Sequence, residues 1–290
     1  MTLLAVPNVS EGRDFERLDR LQDALGFEVQ LLDRHSDIDH NRAVFTIAGP
    51  EKDLEKALLG LAAAAREIDM PEWKGLHPAT GALDVCPVVW IDPGQRESAE
   101  ASALGVAEGI GGLGIPVFLY GELSVNAVRR ERSFYREGGL DSLWQRMTSG
   151  ELEPDFGPAR PHPQAGACLV TARPPLAAFN VELDTGDVEV ARAVAAEVRE
   201  IGGGPRGLRA IGLALSTGRA QVSMNVEDPL ELPLAEVVEL VSDRAARMGA
   251  RAIEAELIGL IPEAAMAGYP ETVPIRDFDP AFHIIERRLT

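Results

Sequence analysis

His77 lies in a segment that combines several residue types suited to acid–base chemistry. In KGLHPATGALDVCP, residues 74–87, the histidine stands between Gly75 and Gly81, and Asp84 follows inside an apolar run. Imidazole takes up and releases a proton near neutral pH, and a neighbouring carboxylate can orient it. Glycines let a ligand approach the backbone closely. The segment therefore predicts a general base, His77, with Asp84 as its orienting partner, although a non-catalytic loop histidine before a polar strand end fits the same pattern.

The segment DRHSDIDHNR, residues 33–42, is a second candidate site. Imidazole and carboxylate groups suit zinc or manganese, and the segment supplies them through His35, Asp37, Asp39 and His40. Their spacing matches no compact metal motif, and hairpin loops are often acidic because they are solvated, so no metal is expected. Arg42, preceded by Asn41, stands where this loop enters an apolar strand. Its guanidinium could bind a ligand carboxylate with two nitrogens, or it could form a surface ion pair.

The glycine-rich segment GGGPRGLRAIG, residues 202–212, is a third candidate site. One glycine is enough to end a helix, so three in succession indicate backbone that lies close to a ligand, with Arg206 and Arg209 providing positive charge. A flexible loop between two elements is the alternative. The segment lacks the Gly-Lys-Ser/Thr of a phosphate loop. Ser223 and Asn225 alternate with apolar residues on a predicted strand and face either a cleft or solvent.

Charge and composition exclude several classes of function. The chain of 290 residues has a net charge of −18, with 46 acidic and 28 basic residues, so nucleic acid and anionic membranes are not expected as partners. An anionic ligand requires a local cluster of Arg or Lys, because the overall field repels it. The apolar runs are too short to span a bilayer, the N-terminus lacks a basic signal region, and the two cysteines form no framework. These features predict a cytoplasmic protein.

The same order of predicted elements occurs twice along the chain. The first repeat has predicted strands at 3–9, 27–33, 42–48 and 82–91, and helices at 14–25 and 51–68. The second has predicted strands at 168–171 with 177–183, at 208–216, 220–226 and 252–260, and helices at 188–201 and 233–248. Both follow the order β-α-β-β-α-β. The sequence therefore predicts an α+β fold of two tandem ferredoxin-like subdomains, residues 1–173 and 174–290, with helices packed on antiparallel sheets.

A longer segment connects the two repeats. It contains a predicted helix at 97–113, a short strand at 116–120 and a charged helix from Val128. The connector EPDFGPARPHPQAG, residues 153–166, is too rich in proline for regular structure. It is either a linker between the subdomains or a rigid ligand loop between two pseudo-symmetric halves.

A series of stretches resembles one protein family. In chain order they are VPNVSEG, NRAVFT, KGLHPATGALDVCP, PVFLYGE, PDFGPARPHPQAG, AFNVEL, QVSMNVED and ELIGLIP. They are similar to glutamate formiminotransferase, the transferase portion of formiminotransferase-cyclodeaminase, and no counterpart of the cyclodeaminase domain is expected. The resemblance implies transfer of the formimino group of N-formimino-L-glutamate to N5 of tetrahydrofolate, giving 5-formiminotetrahydrofolate and glutamate in histidine breakdown. It also implies a homodimer of two-subdomain chains.

The resemblance also implies roles for individual residues. The catalytic histidine of the family falls on His77, and Asp84 is its possible orienter. Folate-binding segments fall on Gly157–Gly166 and around Gly203–Gly212. With the candidates from the residues themselves, the expected substrate- and folate-binding set is Asn41, Arg42, Gly157, Pro158, Ala159, Arg160, Pro161, His162, Pro163, Gln164, Ala165, Gly166, Gly203, Gly204, Arg206, Arg209 and Asn225.

Some positions depart from the family pattern. Leu76 and Ala79 stand where the family has polar or basic residues, and Ala165 replaces an aromatic residue of the first folate loop. His162 could supply replacement stacking. Two alternatives therefore accompany formimino transfer: a diverged homologue that binds folate or a pterin without this activity, and a metal-assisted hydrolase of formiminoglutamate centred on residues 33–42.

Overall fold

The computed structural model describes residues 2–289, which divide into two compact units between Pro174 and Pro175. The strands of unit 1 are β1 (Thr2–Ala5), β2 (Asn8–Val9), β3 (Gln30–Asp37), β4 (Arg42–Pro50), β5 (Leu83–Val89), β6 (Val117–Leu119) and β7 (Cys168–Arg173). Its helices are α1 (Phe15–Asp23), α2 (Glu51–Ala65), α3 (Arg96–Gly112), α4 (Arg132–Arg136) and α5 (Gly139–Thr148). Among the described residues, no helix combines the length and the apolar character needed to cross a membrane.

Unit 2 has its own strands and helices. The strands are β8 (Ala177–Leu183), β9 (Leu208–Ala214), β10 (Ala220–Val226) and β11 (Ala252–Ile258), and the helices are α6 (Val188–Val198), α7 (Leu234–Arg247), α8 (Pro280–His283) and α9 (Ile285–Arg288). The sheet order is β11-β8-β10-β9, and all neighbours are antiparallel. This is the strand order of a ferredoxin-like unit.

The sheet of unit 1 contains the same arrangement with an extension. β1 and β2 are two segments of one strand path, broken at Pro7, which has no N–H for the ladder. Both segments lie between β4 and β5, and β3 pairs with the other side of β4, all antiparallel. β7 then adds to β5 in parallel, and β6 adds to β7. The predicted α+β fold of two ferredoxin-like units is confirmed, but the assignment of residues 168–171 to the second repeat was wrong.

Helices cover both faces of the unit 1 sheet. Neighbouring residues of β6 belong to different apolar clusters, since Val117 packs with the buried residues of α2 and α3, whereas Phe118 packs with Tyr135 and Leu143. Side chains of a strand alternate between faces, so α4 and α5 lie on the face opposite α2 and α3. This second layer matters for function because α4 carries a side chain to the centre of the candidate site.

The charged helix predicted from Val128 is divided in the structure. A single turn at Val128–Arg130 is followed by the short helix α4 and then by α5. Gly138, just before α5, and Gly139, its first residue, both have positive φ values, 73° and 75°. That conformation is accessible to glycine and interrupts a right-handed helix, which explains why the prediction of one helix was wrong.

Candidate active site

Asp84, on β5, is the centre of a buried charge cluster. Its side chain is fully buried. Oδ1 accepts hydrogen bonds from the backbone N–H of Thr80 at 2.7 Å and from the Thr80 hydroxyl at 2.9 Å. Oδ2 accepts from Arg42 Nη1 at 2.5 Å and from Arg136 Nη2 at 2.6 Å. Burial raises the pKa of Asp84, but the guanidiniums of Arg136 and Arg42 outweigh it and hold that pKa well below its ordinary value, so the carboxylate is ionised.

Arg42 begins β4 and is nearly buried. Besides its bond to Asp84, its Nε and Nη2 donate to Asn8 Oδ1 at 3.0 and 2.6 Å. Its side chain is only 10% exposed, so the alternative of a surface ion pair was wrong. The carboxylate that this guanidinium binds belongs to the protein itself, and Asn8 fixes its orientation.

Arg136 is a member of the cluster that the sequence did not single out. It is the last residue of α4, and the preceding Tyr135 is fully buried and donates from its hydroxyl to the carbonyl oxygen of Leu119 at 3.0 Å. This anchoring places the Arg136 guanidinium on Asp84, although 52 positions separate the two residues along the chain. The only sequence signal was the density of arginine in VRRERSFYR, residues 128–136.

His77 is half-buried and has a defined tautomer. Its Nδ1 lies 2.8 Å from the carbonyl oxygen of Pro78. Because a carbonyl oxygen only accepts, Nδ1 carries the proton and Nε2 keeps a free lone pair. Asp84 was expected to orient this ring, but its hydrogen bonds go to Thr80, Arg42 and Arg136 instead. The hydrogen bond that fixes the imidazole is therefore the one to the Pro78 carbonyl oxygen, and an orienting role of Asp84 stays a prediction.

The surroundings of His77 favour its neutral form. Desolvation of the ring is the largest effect, followed by the positive charges of Arg42 and Arg136, and together they hold the pKa of His77 well below 6.5. The negative charge of Asp84 opposes this shift. At neutral pH the imidazole is consequently unprotonated, as a general base must be before the reaction.

His40 lies against His77. The two rings stack with centroids 5.9 Å apart and an angle of 30° between their planes. His40 is 7% exposed, and its Nε2 is buried without a hydrogen-bond partner in the described part of the chain. The sequence assigned His40 only to a possible metal cluster, and its place beside His77 depends on tertiary structure.

The tip of the β3–β4 hairpin is tied to the histidine loop. β3 continues to Asp37, so the loop is shorter than predicted and consists of residues 38–41. Asn41 has a positive φ of 47°, and its Nδ2 donates to the Lys74 carbonyl oxygen at 3.2 Å. The N–H of Leu76 donates to the Asp39 carbonyl oxygen at 3.1 Å. Asn41 thus helps to position the loop, while its predicted contact with substrate stays a prediction.

The possible metal ligands of residues 33–42 belong to the β3–β4 hairpin. His35 lies within β3 opposite Val44, and the Asp37 carboxylate accepts from the backbone N–H of His40 at 2.6 Å. Across residues 2–289, no group of three or more His, Cys, Asp or Glu side chains is arranged to hold a metal ion.

Comparison with known proteins identifies the family. A model of the formiminotransferase domain, N-terminal subdomain, matches residues 2–173, and a model of the formiminotransferase domain matches residues 178–271. The chain belongs to the formiminotransferase family. It is 38% identical to the glutamate formimidoyltransferase of Streptococcus pyogenes over 98% of this chain and 97% of that protein. It is 34% identical to that of Thermoplasma acidophilum over 98% of this chain and 96% of that protein.

Bifunctional relatives match as well. The chain is 35% identical to the formimidoyltransferase-cyclodeaminase of Sus scrofa over 90% of this chain and 50% of that protein. A solved microcompartment protein from Desulfitobacterium hafniense has 11% identity and a TM-score of 0.24, too low to bear on the fold. The predicted family is confirmed.

The first segment predicted to bind folate, residues 157–166, lies beside the histidine loop. The N–H of Ala82 donates to the Ala165 carbonyl oxygen at 2.9 Å, and the N–H of Ala167 donates to that of Thr80 at 3.0 Å. The connector therefore belongs to unit 1, and the interpretation as a linker between subdomains was wrong. It exposes Ala159, Arg160, Pro163 and Gln164.

The one departure in this segment, Ala165, has a structural explanation. Ala165 is only 2% exposed, so its methyl group belongs to the core and leaves no stacking surface. His162 could supply replacement stacking, and this stays a prediction. Its Nδ1 accepts from the N–H groups of Gln164 and Ala165 at 3.3 and 2.9 Å. The imidazole thus stabilises its own turn.

The second segment predicted to bind folate, residues 203–212, lies in unit 2. A Cβ atom on Gly202 or Gly204 would fall 1.7 Å from a carbonyl oxygen of α6, and Gly203 has a φ of 92°. Packing against the end of α6 is therefore sufficient reason for the three glycines, without a ligand. Arg209 forms ion pairs with Glu200 at 2.5 Å and Glu227 at 3.4 Å.

Arg206 is exposed, and Asn225 is half-buried on β10 opposite Arg209. Both side chains are accessible to a ligand, but their exposure alone does not test whether they bind one. The predicted binding roles of Gly203, Gly204, Arg206, Arg209 and Asn225 stay predictions.

A substitution at Gly81 tests whether the histidine loop must pack closely against the backbone of residues 165–167. A Cβ atom there would lie 2.2 Å from the Ala167 carbonyl oxygen and 2.5 Å from that of Ala165. We expect Gly81→Ala to lower the free energy of unfolding by roughly 1–3 kcal/mol, because rigid backbone must move apart. Urea denaturation followed by circular dichroism measures the change.

Gly112, at the end of α3, is the matched control for Gly81. A Cβ atom at this position meets no atom within 4 Å. Gly112→Ala is expected to be neutral or slightly stabilising, because alanine loses less backbone entropy on folding. An equal loss of stability in both variants would contradict the close approach described at Gly81.

Proposed function

We propose that this chain transfers the formimino group of N-formimino-L-glutamate to N5 of tetrahydrofolate, with His77 as the general base. Membership of the family makes it a transferase of formimino groups, with tetrahydrofolate as co-substrate. The observation that supports the role of His77 is a neutral, oriented imidazole beside two buried guanidiniums, with Nε2 free to take a proton.

The chemistry can be written as one proton cycle. N5 of tetrahydrofolate attacks the carbon of the formimino group, taken as an amidinium, and the new N5–C bond gives a tetrahedral intermediate. His77 Nε2 takes the N5 proton. The resulting imidazolium then donates this proton to the glutamate nitrogen as the C–N bond to glutamate breaks. The products are 5-formiminotetrahydrofolate and glutamate, and the imidazole returns to its neutral form.

The charge cluster assists the base in this cycle. Arg42 and Arg136 disfavour a persistent imidazolium, which promotes return of the proton to the leaving nitrogen. Asp84 is proposed to act through these two guanidiniums, since it makes no hydrogen bond to His77. It is therefore a positioning residue.

The pH dependence of turnover follows from the state of His77. Because desolvation and the neighbouring guanidiniums hold the pKa of His77 well below 6.5, protonation stops catalysis only in acid. We expect kcat/KM for formiminoglutamate to fall with decreasing pH along an acid limb whose midpoint lies below pH 6.5, because kcat/KM reports the free enzyme. Initial rates at formiminoglutamate concentrations well below KM, measured in buffers of constant ionic strength, test this. A midpoint at or above 6.5 would contradict the described surroundings of His77.

A direct assay separates the three functions under consideration. Protein, formiminoglutamate and tetrahydrofolate are mixed, and the 5-formimino adduct is followed by absorbance. Adduct formation that requires folate supports the transferase. Tight binding of folinate without turnover would instead support a diverged folate-binding homologue. Release of ammonia or formamide without folate, abolished by a chelator, would support the hydrolase.

Assembly and location are part of the proposal. The homodimer is proposed from the resemblance to the family. The cytoplasmic location is proposed from the composition of the chain. Light scattering coupled to size-exclusion chromatography measures the assembly, and a monomer at micromolar concentration would overturn the dimer.

A further inference from the structure

Around Asp84, arginines outnumber the carboxylates that pair with them. Arg42 and Arg136 share the single Asp84 carboxylate. Arg132, at the start of α4, is half-buried and stacks over the Tyr120 ring at 5.9 Å, and no ion pair to it is found within residues 2–289. The chain as a whole has a net charge of −18, so this local excess of positive charge runs against the overall field.

Two other arginines of the same segment, Arg129 and Arg130, form ion pairs with acidic side chains. Arg129 pairs with Asp155 at 3.0 Å, and Arg130 pairs with Glu122. The Asp155 and Glu122 carboxylates are not shared with Arg136, although Glu122 also pairs with Arg96. Within residues 128–136, the arginines without a carboxylate of their own among the described residues are therefore Arg132 and Arg136.

Arg136 also has unused hydrogen-bonding capacity. Its side chain is 11% exposed, and its Nε is buried without a partner in the described part of the chain. Burial is the largest cause that lowers the pKa of Arg136 to about 10; Asp84 raises it, and Arg132 and Arg42 lower it further. A buried donor without a partner beside like charges is unfavourable unless a ligand completes it. An anion would satisfy both the donor and the charge.

We propose that Arg136, assisted by Arg132, binds a carboxylate of the formimino donor. This inference rests on the proposed function, because that function supplies a substrate with two carboxylates beside a general base. A guanidinium matches a carboxylate with two parallel N–H donors. Arg136 lies close enough to His77 to act on its protonation. A carboxylate held there would keep the donor beside His77 Nε2, with the folate left to other residues.

The test compares ligands that differ in one carboxylate. Binding of L-glutamate, L-glutamine and isoglutamine to the full chain is measured by isothermal titration calorimetry, which requires no turnover. We expect wild-type protein to prefer glutamate to one of the two amides by roughly 10- to 100-fold, as for a hydrogen bond to a charged group. In Arg136→Gln this preference is lost, and the KM for formiminoglutamate rises by a similar factor while the KM for tetrahydrofolate is unchanged.

Control variants separate binding from folding. Arg130→Gln removes an exposed arginine of the same segment and should keep the glutamate preference and both KM values. Arg136→Lys retains the charge without the planar pair of donors and should recover part of the affinity. If Arg136→Gln fails to fold, Arg132→Gln replaces it, since Arg132 makes no ion pair within residues 2–289; its KM for formiminoglutamate should rise about 3- to 10-fold.

The outcomes distinguish this inference from the function on which it rests. Wild-type turnover with an unchanged glutamate preference in the folded variants would overturn the role of Arg136 alone. A rise confined to the KM for tetrahydrofolate would assign the site to the carboxylates of folate and overturn the donor assignment. Absence of adduct in the wild-type assay would overturn the proposed function itself.

Discussion

Replacing His77 by alanine is expected to lower kcat by roughly 10²–10⁴-fold, the usual contribution of a positioned general base. The side chain is half-buried in a loop, so its removal leaves the core of unit 1 intact. Steady-state rates of formation of the 5-formimino adduct measure the effect. Circular dichroism and the urea midpoint check that folding is unchanged.

Two controls separate base catalysis from a structural effect of His77→Ala. His283→Ala removes a histidine of α8 in unit 2 that also has a hydrogen bond and a ring stack, with Asp279 and Phe278. It should keep the wild-type rate. Free imidazole added to His77→Ala should restore part of the activity in proportion to its unprotonated concentration. Wild-type turnover in a folded His77→Ala protein would remove His77 from the mechanism.

Replacing Asp84 by alanine should destabilise unit 1 by about 3–5 kcal/mol, because breaking a buried ion pair leaves charge without a partner. Asp84 is fully buried, and both Arg42 and Arg136 depend on its Oδ2. Urea denaturation gives the change in the free energy of unfolding. Asp19→Ala, which removes the exposed partner of Arg34, should leave the midpoint close to wild type.

Acid should remove the same stabilisation from the wild-type protein. The pKa of Asp84 is lower in the folded than in the unfolded chain, in which an aspartate has a pKa of about 3.9. The stabilisation is therefore fully present above about pH 5, and it is lost as pH falls below about 3.9 toward the folded pKa. Asp84→Ala lacks this component, so the stability difference between the two proteins should narrow in acid. If the stability difference between wild type and Asp84→Ala were the same at about pH 7 and about pH 3, the low pKa of Asp84 in the folded chain would be contradicted.

The candidate site was partly predictable because some of its signals are local. A histidine between glycines, followed by a buried strand with one aspartate, indicates the position of the site within a few residues. Arg42 could be recognised because it directly precedes an apolar strand. The partners of these residues were not predictable in the same way. Asp84 was considered as the orienter of His77, and its hydrogen bonds to Thr80, Arg42 and Arg136 were not foreseen. They form because burial of a carboxylate demands full pairing of both oxygens.

The repeated order of strands and helices could be predicted from the amino-acid sequence, because hydrophobic periodicity and turn residues act over short distances along the chain. The family was indicated separately, by the resemblance of motifs such as KGLHPATGALDVCP. The electrostatic state of His77 could not be predicted from the sequence. It depends on Arg136, which reaches Asp84 across 52 positions only because β6 and β7 extend the sheet and α4 packs on it. Coulomb interactions and desolvation depend on distance and burial in space, which no local pattern of residues specifies.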